Sequence, residues 1–314
     1  MNKHKGCIIA VVFICGLCGG GSILWIRDSQ TGHYRSSFGD ELTFDVSPDG
    51  KEIVYCHPGI GGMDVSIFNI KDQTSTVLLN SDKYESSPHF SSDGTKVVFS
   101  GGNPGDRADH LFMCDRLRGS VEQLTFGDFN DTSPSFYEHD SKILFTREDQ
   151  YRWGGLAPSW NEGGVIDSLN LSNKKVRTIY GIGSVSYWPK MSKNGGLLYE
   201  DMYGKNMTLV SGGKKIITIA GRENDLSTDG KSIIYVSGEG ISEFSVESRK
   251  SWTVLAADRS QEFRAPKFSA DSAWIYFFRD LSSTRTWSVW RILRKRPHTE
   301  EQIVSEIAFH EKKL

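Results

Sequence analysis

The sequence predicts an all-β fold, a six-bladed β-propeller of four-stranded antiparallel blades, preceded by one N-terminal transmembrane helix. Three observations predict it: a hairpin pattern that recurs six times, a regular spacing of its copies, and an uncharged stretch from Gly6 to Ile26 ahead of them.

The clearest copy is PHFSSDGTKVVFS, Pro88 to Ser100. Phe90 is an inward-facing strand residue, and Val97, Val98 and Phe99 form a buried strand. Between them Ser92, Asp93 and Gly94 supply turn chemistry, because Asp bonds nearby backbone N–H groups and Gly is free to take φ > 0. The counterparts of Phe90 are Val46, Phe136, Met191, Leu226 and Phe268, and we call these six residues anchors. Five anchors precede a strand aromatic by nine residues, at Tyr55, Phe99, Phe145, Tyr235 and Phe277; the fourth copy reaches Tyr199 after eight. The anchors stand 44, 46, 55, 35 and 42 residues apart, close to the roughly 40 to 45 residues of a four-stranded propeller blade. Each blade has two apolar faces it cannot cover alone, so neighbours must pack face to face around an axis.

Composition agrees with short strands and tight turns. The 314 residues include 32 Gly, 17 Phe, 11 Tyr and 8 Trp, and no sustained helical period appears in the repeats. A formal net charge of −2 argues against a general attraction to nucleic acid or to anionic lipid.

Residues 1–5 carry Lys3 and Lys5 and are expected on the cytoplasmic side. Residues 6–26 hold no charge; as a helix they would span about 31 Å, against a hydrocarbon core of roughly 30 Å. The rival is a cleaved secretory signal ending near Gly19 to Ser22, although Ile23 to Ile26 resume the apolar run. Cys18 does not follow the usual lipobox, since Cys15, Gly16 and Leu17 precede it. Residues 27–40 read as a polar tether and 41–314 as the propeller, on the extracytoplasmic side. Cys56 and Cys114, the two cysteines beyond the span, are expected as separate buried thiols.

Third strands are expected at Val65 to Ile70, Leu111 to Cys114, Val165 to Leu171, Met207 to Val210, Ile241 to Val246 and Ser288 to Leu293. Fourth strands are expected at Thr76 to Leu79, Val121 to Thr125, Val176 to Ile179, Ile216 to Ile219, Trp252 to Leu255 and Gln302 to Ser305. Ring closure by one terminus completing the other's blade is anticipated, through Ile303 and Val304 or the segment around Leu42 and Thr43.

The anchor, turn and apolar strands, with Ser47-Pro48-Asp49-Gly50 and Gln123-Leu124-Thr125 as the best matches, resemble the propeller repeats of TolB and related WD-like proteins. The resemblance covers about residues 40 to 310 and implies the architecture. The same blades occur in periplasmic scaffolds, in the propellers of prolyl oligopeptidase-type peptidases and in lyase-like enzymes. TolB carries an α/β domain ahead of its propeller, where this chain has the apolar span.

Antiparallel alternation assigns the S-x-D-G turns and third-to-fourth connections to one face, and the second-to-third loops and blade connections to the other. The longest insertion, Arg147 to Gly164, falls on that second face and holds Tyr151, Arg152, Trp153 and Trp160, residue types that dominate interface hot spots. Phe129, Asn130, Asp131, Tyr187, Trp188 and Arg264 are expected on the same face. Trp188 and Phe129 read equally as wedges between blades. Asp49, Asp93, Asp229 and Asp271 read as turn formers, and Arg291, Arg294, Lys295 and Arg296 as a solvated basic turn.

A prolyl oligopeptidase-type enzyme would need a hydrolase domain with a G-x-S-x-G elbow, and the sequence contains neither. His57, His89, His110 and His139 occupy different repeat positions, so no metal site and no cofactor are expected. The resulting expectation is a membrane-tethered extracytoplasmic propeller that binds or scaffolds an envelope protein, a peptide or a glycan. The alternative is a lyase-like or glycan-processing enzyme with its site in the axial channel.

Overall fold

The structure is a computed structural model that describes residues 25–27, 34–36, 43–58, 62–102, 108–149, 164–181, 186–201, 205–257, 261–281 and 287–307. Among them are six four-stranded antiparallel sheets, each built from four consecutive strands. Blade 1 comprises Phe44–Val46, Glu52–Pro58, Met63–Asn69 and Thr74–Leu79. Blade 2 comprises Tyr84–Phe90, Lys96–Gly102, His110–Asp115 and Ser120–Gln123. Blade 3 comprises Phe129–Tyr137, Lys142–Asp149, Val165–Asn170 and Val176–Gly181. Blade 4 comprises Ser186–Met191, Gly196–Asp201, Asn206–Ser211 and Lys214–Ala220. Blade 5 comprises Arg222–Leu226, Ser232–Ser237, Gly240–Ser245 and Lys250–Ala256. Blade 6 comprises Gln261–Phe268, Trp274–Leu281, Trp287–Leu293 and Arg296–Ile307. Inner strands of successive blades touch all the way round, the sixth meeting the first.

Burial follows from sheets stacked face to face. In blade 2 the second strand is covered along nearly its whole length, as both of its faces meet neighbouring sheets, whereas the outer strand of blade 1 is mostly exposed. Six anchors therefore lie at or next to the ends of inner strands, where the turn brings the chain back through the core.

The turns work as their residues suggest. In blade 2 the Ser91 hydroxyl donates to Asp93 Oδ1 (2.7 Å) and accepts from the Lys96 N–H (2.9 Å), while Asp93 Oδ1 also accepts from the Thr95 N–H (2.9 Å). Gly94 takes φ 71°, a left-handed conformation without penalty for glycine. Blades 1, 5 and 6 repeat the Ser-to-Asp bond at Asp49, Asp229 and Asp271.

Cross-blade clamps stand on the same face. Arg116 follows the third strand of blade 2, stacks over the Phe90 ring (5.3 Å) and donates to Glu52 of blade 1 (2.7 Å). Arg294 does the same from blade 6, lying over Phe268 (5.1 Å) and bonding Ser232 Oγ (2.7 Å) and the buried Glu243 carboxylate of blade 5. Arg294 is thus an interblade tie, which corrects the expectation of a solvated basic turn. Arg291 is held within blade 6, pairing with Glu301 (2.8 Å) and stacking on Trp274 (4.4 Å).

Closure departs from the expected strand exchange. Ile303 belongs to the outer strand of its own blade, and blade 1 is complete without the C-terminus. The seam is instead a packed cluster in which Phe44, Val46, Ile53 and Phe68 of blade 1 meet Tyr276, Phe278, Val289 and Ile303 of blade 6. The Phe44 and Phe278 rings contact edge to face at 4.7 Å.

Cys56 and Cys114 are free and buried, and burial pushes the Cys56 thiol up to about 12. Trp25–Arg27 pairs antiparallel with Tyr34–Ser36, so the last two residues of the expected membrane span lie in a short strand. The remainder of that span lies outside the described residues. Among the described residues no helix is long and apolar enough to cross a membrane.

Candidate functional site

The inner strands of blades 2 to 6 carry the same local device. Three residues before the anchor, Ser87, Ser133, Trp188, Glu223 and Ala265 take φ between 46° and 53° in blades 2 to 6. Pairing with the second strand shifts register there, as between Ser86 and His89 or between Tyr187 and Lys190. This is a β-bulge, and Pro88, Pro134, Pro189 and Pro266 follow the left-handed residue in four blades. Proline fits because the inner strand is a sheet edge, where its missing N–H removes no ladder bond. Five non-glycine residues in this strained region mark the axis as a place where geometry is held by its surroundings.

The surroundings are side chains from the preceding blade. Thr43 Oγ1 and Asp45 Oδ2 of blade 1 accept from the N–H groups of Ser87 (3.1 Å) and Phe90 (2.9 Å) in blade 2. Glu223 Oε2 and Asp225 Oδ2 of blade 5 accept from Ala265 (2.7 Å) and Phe268 (2.9 Å) in blade 6. Between blades 3 and 4, the Ser135 hydroxyl donates to the Pro189 carbonyl (2.9 Å).

The residue just before each anchor faces the axis region, and the six are Asp45, His89, Ser135, Lys190, Asp225 and Lys267. His89, Ser135, Lys190 and Lys267 line a cavity of about 50 Å³, together with residues from all six inner strands, including Trp188 and Asn224. Electrostatics among these covered side chains is strong. Burial drives the His89 imidazole down to about 3 against the pull of Asp45, so it is neutral. Burial, then the adjoining Lys267 ammonium, lower Lys190 to about 8 although Asp225 and Asp45 favour its charge. Burial raises the Asp45 carboxyl, but His89, Lys190, Lys267 and the Phe90 N–H together hold it below the usual range.

The loop-bearing face has a different build. Phe129 begins the inner strand of blade 3, is 41% exposed, and rests 4.7 Å from the Arg147 guanidinium. Arg147 is fixed from below by Asp131, with Nε to Oδ1 at 2.7 Å and Nη2 to Oδ2 at 2.8 Å, and by Asp167 at 3.6 Å. Asp131 itself is fully buried, so it supports this face and does not reach the surface as expected. Asn130 accepts from the Asp109 N–H (3.1 Å) and donates to Glu148 (3.4 Å). Arg264 pairs with Glu223 at 2.5 Å and sits mostly covered. Trp188 is half-buried and lines the axial cavity. Tyr151, Arg152, Trp153 and Trp160 lie outside the described residues, as does the Tyr187 side chain.

Sequence reasoning missed Arg147, Lys190 and Lys267. A signal for the two lysines was present: every anchor is preceded by a polar residue, four times after proline. His89 reaches the axis, His57 bonds Ser66 Oγ (2.7 Å), and His139 sits in a turn at φ 54°. Among the described residues no three His, Cys, Asp or Glu side chains group as a metal site requires.

No protein-family model and no curated protein matches the chain. Solved structures do. TolB from Acinetobacter baumannii is 16% identical with a TM-score of 0.60, over 85% of this chain and 65% of that one. A putative TolB from Agrobacterium tumefaciens is 16% identical with a TM-score of 0.59, over 76% of this chain and 87% of that one. Oligogalacturonate lyase from Vibrio parahaemolyticus is 11% identical with a TM-score of 0.56, over 79% and 76%. The chain spans less than two thirds of the A. baumannii protein, and at these identities the likeness is one of fold.

Proposed function

We propose that the chain is a membrane-tethered extracytoplasmic binding module of the cell envelope, held through residues 6–26, that captures a protein, a peptide or a glycan on its loop-bearing face. The single observation that carries the reading is Phe129 standing exposed over Arg147, whose guanidinium is locked by a buried carboxylate. An aromatic fixed in this way loses little side-chain freedom on binding, so more of its contact energy appears as affinity. The second strand of blade 3, which carries Arg147, ends at Asp149, and the insertion bearing Tyr151, Arg152, Trp153 and Trp160 follows it in sequence. The propeller likeness to TolB supports a role in binding and scaffolding.

A photoreactive phenylalanine analogue placed at Phe129, in cells, tests this against one placed at Leu117, which is 82% exposed on the opposite face. Adducts are expected from position 129 alone, and Trp153→Ala with Trp160→Ala should abolish them without lowering the melting temperature. Adducts from position 117 alone would assign binding to the other face. A large stability loss in the tryptophan variants would place those side chains in the core. The competing lyase-like or glycan-processing reading predicts a chemically altered molecule in the adduct.

A further inference from the structure

Two ammonium groups, those of Lys190 and Lys267, line the axial cavity and stand close enough to interact directly with each other. The carboxylate that Lys190 faces, Asp225 Oδ1, stands 3.9 Å from Nζ, beyond hydrogen-bond length. The two aspartates of the ring are already engaged, since Asp45 Oδ2 takes the Phe90 N–H and Asp225 Oδ2 takes the Phe268 N–H, both at 2.9 Å. Each ammonium brings three donors, so the lysines present a donor surplus to the space between them.

A second observation is independent of the lysines. Asn224 is 3% exposed, lines the same cavity, and its Oδ1 is buried without a hydrogen-bond partner. Leaving such an acceptor unmet costs about 1 to 3 kcal/mol. The cavity, at about 50 Å³, has room for roughly three water-sized groups, which is the scale of a carboxylate and one neighbouring atom.

We propose that the axial cavity binds a small carboxylate-bearing ligand, its oxyanion bridging Lys190 and Lys267 and an adjoining O–H or N–H donor reaching Asn224 Oδ1. Charge favours a carboxylate over phosphate. With His89 neutral, Asp45 and Asp225 offset the two lysines and Arg264 offsets Glu223, which also lines the cavity, so a monoanion leaves one net negative charge where a phosphate dianion leaves two. The cavity lies on the axis, apart from the loop-bearing face, and its occupancy does not depend on the proposed partner surface.

The test is calorimetric titration of the full-length chain in lipid nanodiscs with glycolate, acetate and inorganic phosphate at constant ionic strength. One saturable site per chain is expected for both carboxylates, tighter for glycolate because its hydroxyl supplies the donor for Asn224. Lys190→Gln or Lys267→Gln should weaken both by about tenfold or more. Affinity should also fall between about pH 7 and about pH 9.5, as the Lys190 ammonium, whose pKa is about 8, loses its proton. Phosphate binding more tightly than either carboxylate, undiminished binding in both lysine variants, or no saturable site would overturn the proposal. Should neither variant fold, the pH series on the unsubstituted chain decides, and an affinity constant across that range is fatal to the lysine bridge.

Discussion

Glu200 lies 1% exposed near the end of the second strand of blade 4, where burial, reinforced by the carboxylates of Glu223 and Asp201, pushes its pKa up to about 8. The Glu223 N–H (2.7 Å) and the Asn224 amide (3.1 Å) bond its oxygen and only partly offset that rise. The folded value stands above the unfolded 4.5, so the protonated carboxyl contributes stability below pH 4.5 that is lost as pH climbs through about 8. Glu200→Gln keeps an acceptor oxygen and removes the ionisation. Melting curves taken from acid to alkaline pH should show the variant more stable than the parent by a few kcal/mol at about pH 9, with the gap closing toward about pH 4. Parallel curves would show that Glu200 does not titrate in this range. Arg147 illustrates the opposite case, a half-buried charge kept because the buried Asp131 and Asp167 both answer it.

Turns and bulges set the character of the elements. The Ser91 hydroxyl is both donor and acceptor within one tight turn, and it is buried, so no water replaces it when it is removed. Ser91→Ala should cost about 1 to 2 kcal/mol in urea unfolding, because the Lys96 N–H loses its acceptor. A change within error would mean that the backbone bond from Gly94 to the Ser91 carbonyl (2.9 Å) suffices for the turn. The bulge at the other end of the hairpin does different work. By adding a residue to the inner strand it re-aims the side chain before the anchor, which is how Lys190 and His89 come to line the axis.

At the scale of the whole molecule, the described residues close the ring through side-chain packing without strand exchange. Each blade is continuous in sequence, so among the described residues no backbone ladder ties blade 6 to blade 1. The seam then rests on the Phe44 and Phe278 cluster and on the bond from Gln73 to the Ile303 carbonyl (3.2 Å). Phe278→Ala should destabilise the protein by about 3 to 5 kcal/mol in urea unfolding, the usual cost of emptying a buried aromatic site. A loss under about 1 kcal/mol would show that the seam is not a critical junction.

The number of blades, their antiparallel order and the turn aspartates were readable along the chain, because each rests on contacts within about a dozen residues of an anchor, as Ser91 with Asp93 or Phe90 with Val97. The third and outer strands were placed within a few residues of their positions, apart from the outer strand of blade 6, which starts six residues ahead of Gln302. The axial lysines, the Arg147 support beneath Phe129, the Arg294 tie and the seam without strand exchange were not readable in the same way. All but the Arg147 support join residues from different blades, as Arg294 with Glu243 or Phe44 with Phe278, while Asp131 and Arg147 meet across adjacent strands of one blade, where the pairing register and not the chain pattern sets them opposite each other. Local hydrogen bonding and apolar alternation specify a blade, while which polar side chains meet at the axis depends on how six blades wrap and on the bulge that turns one residue inward, and both exist only once the ring has closed.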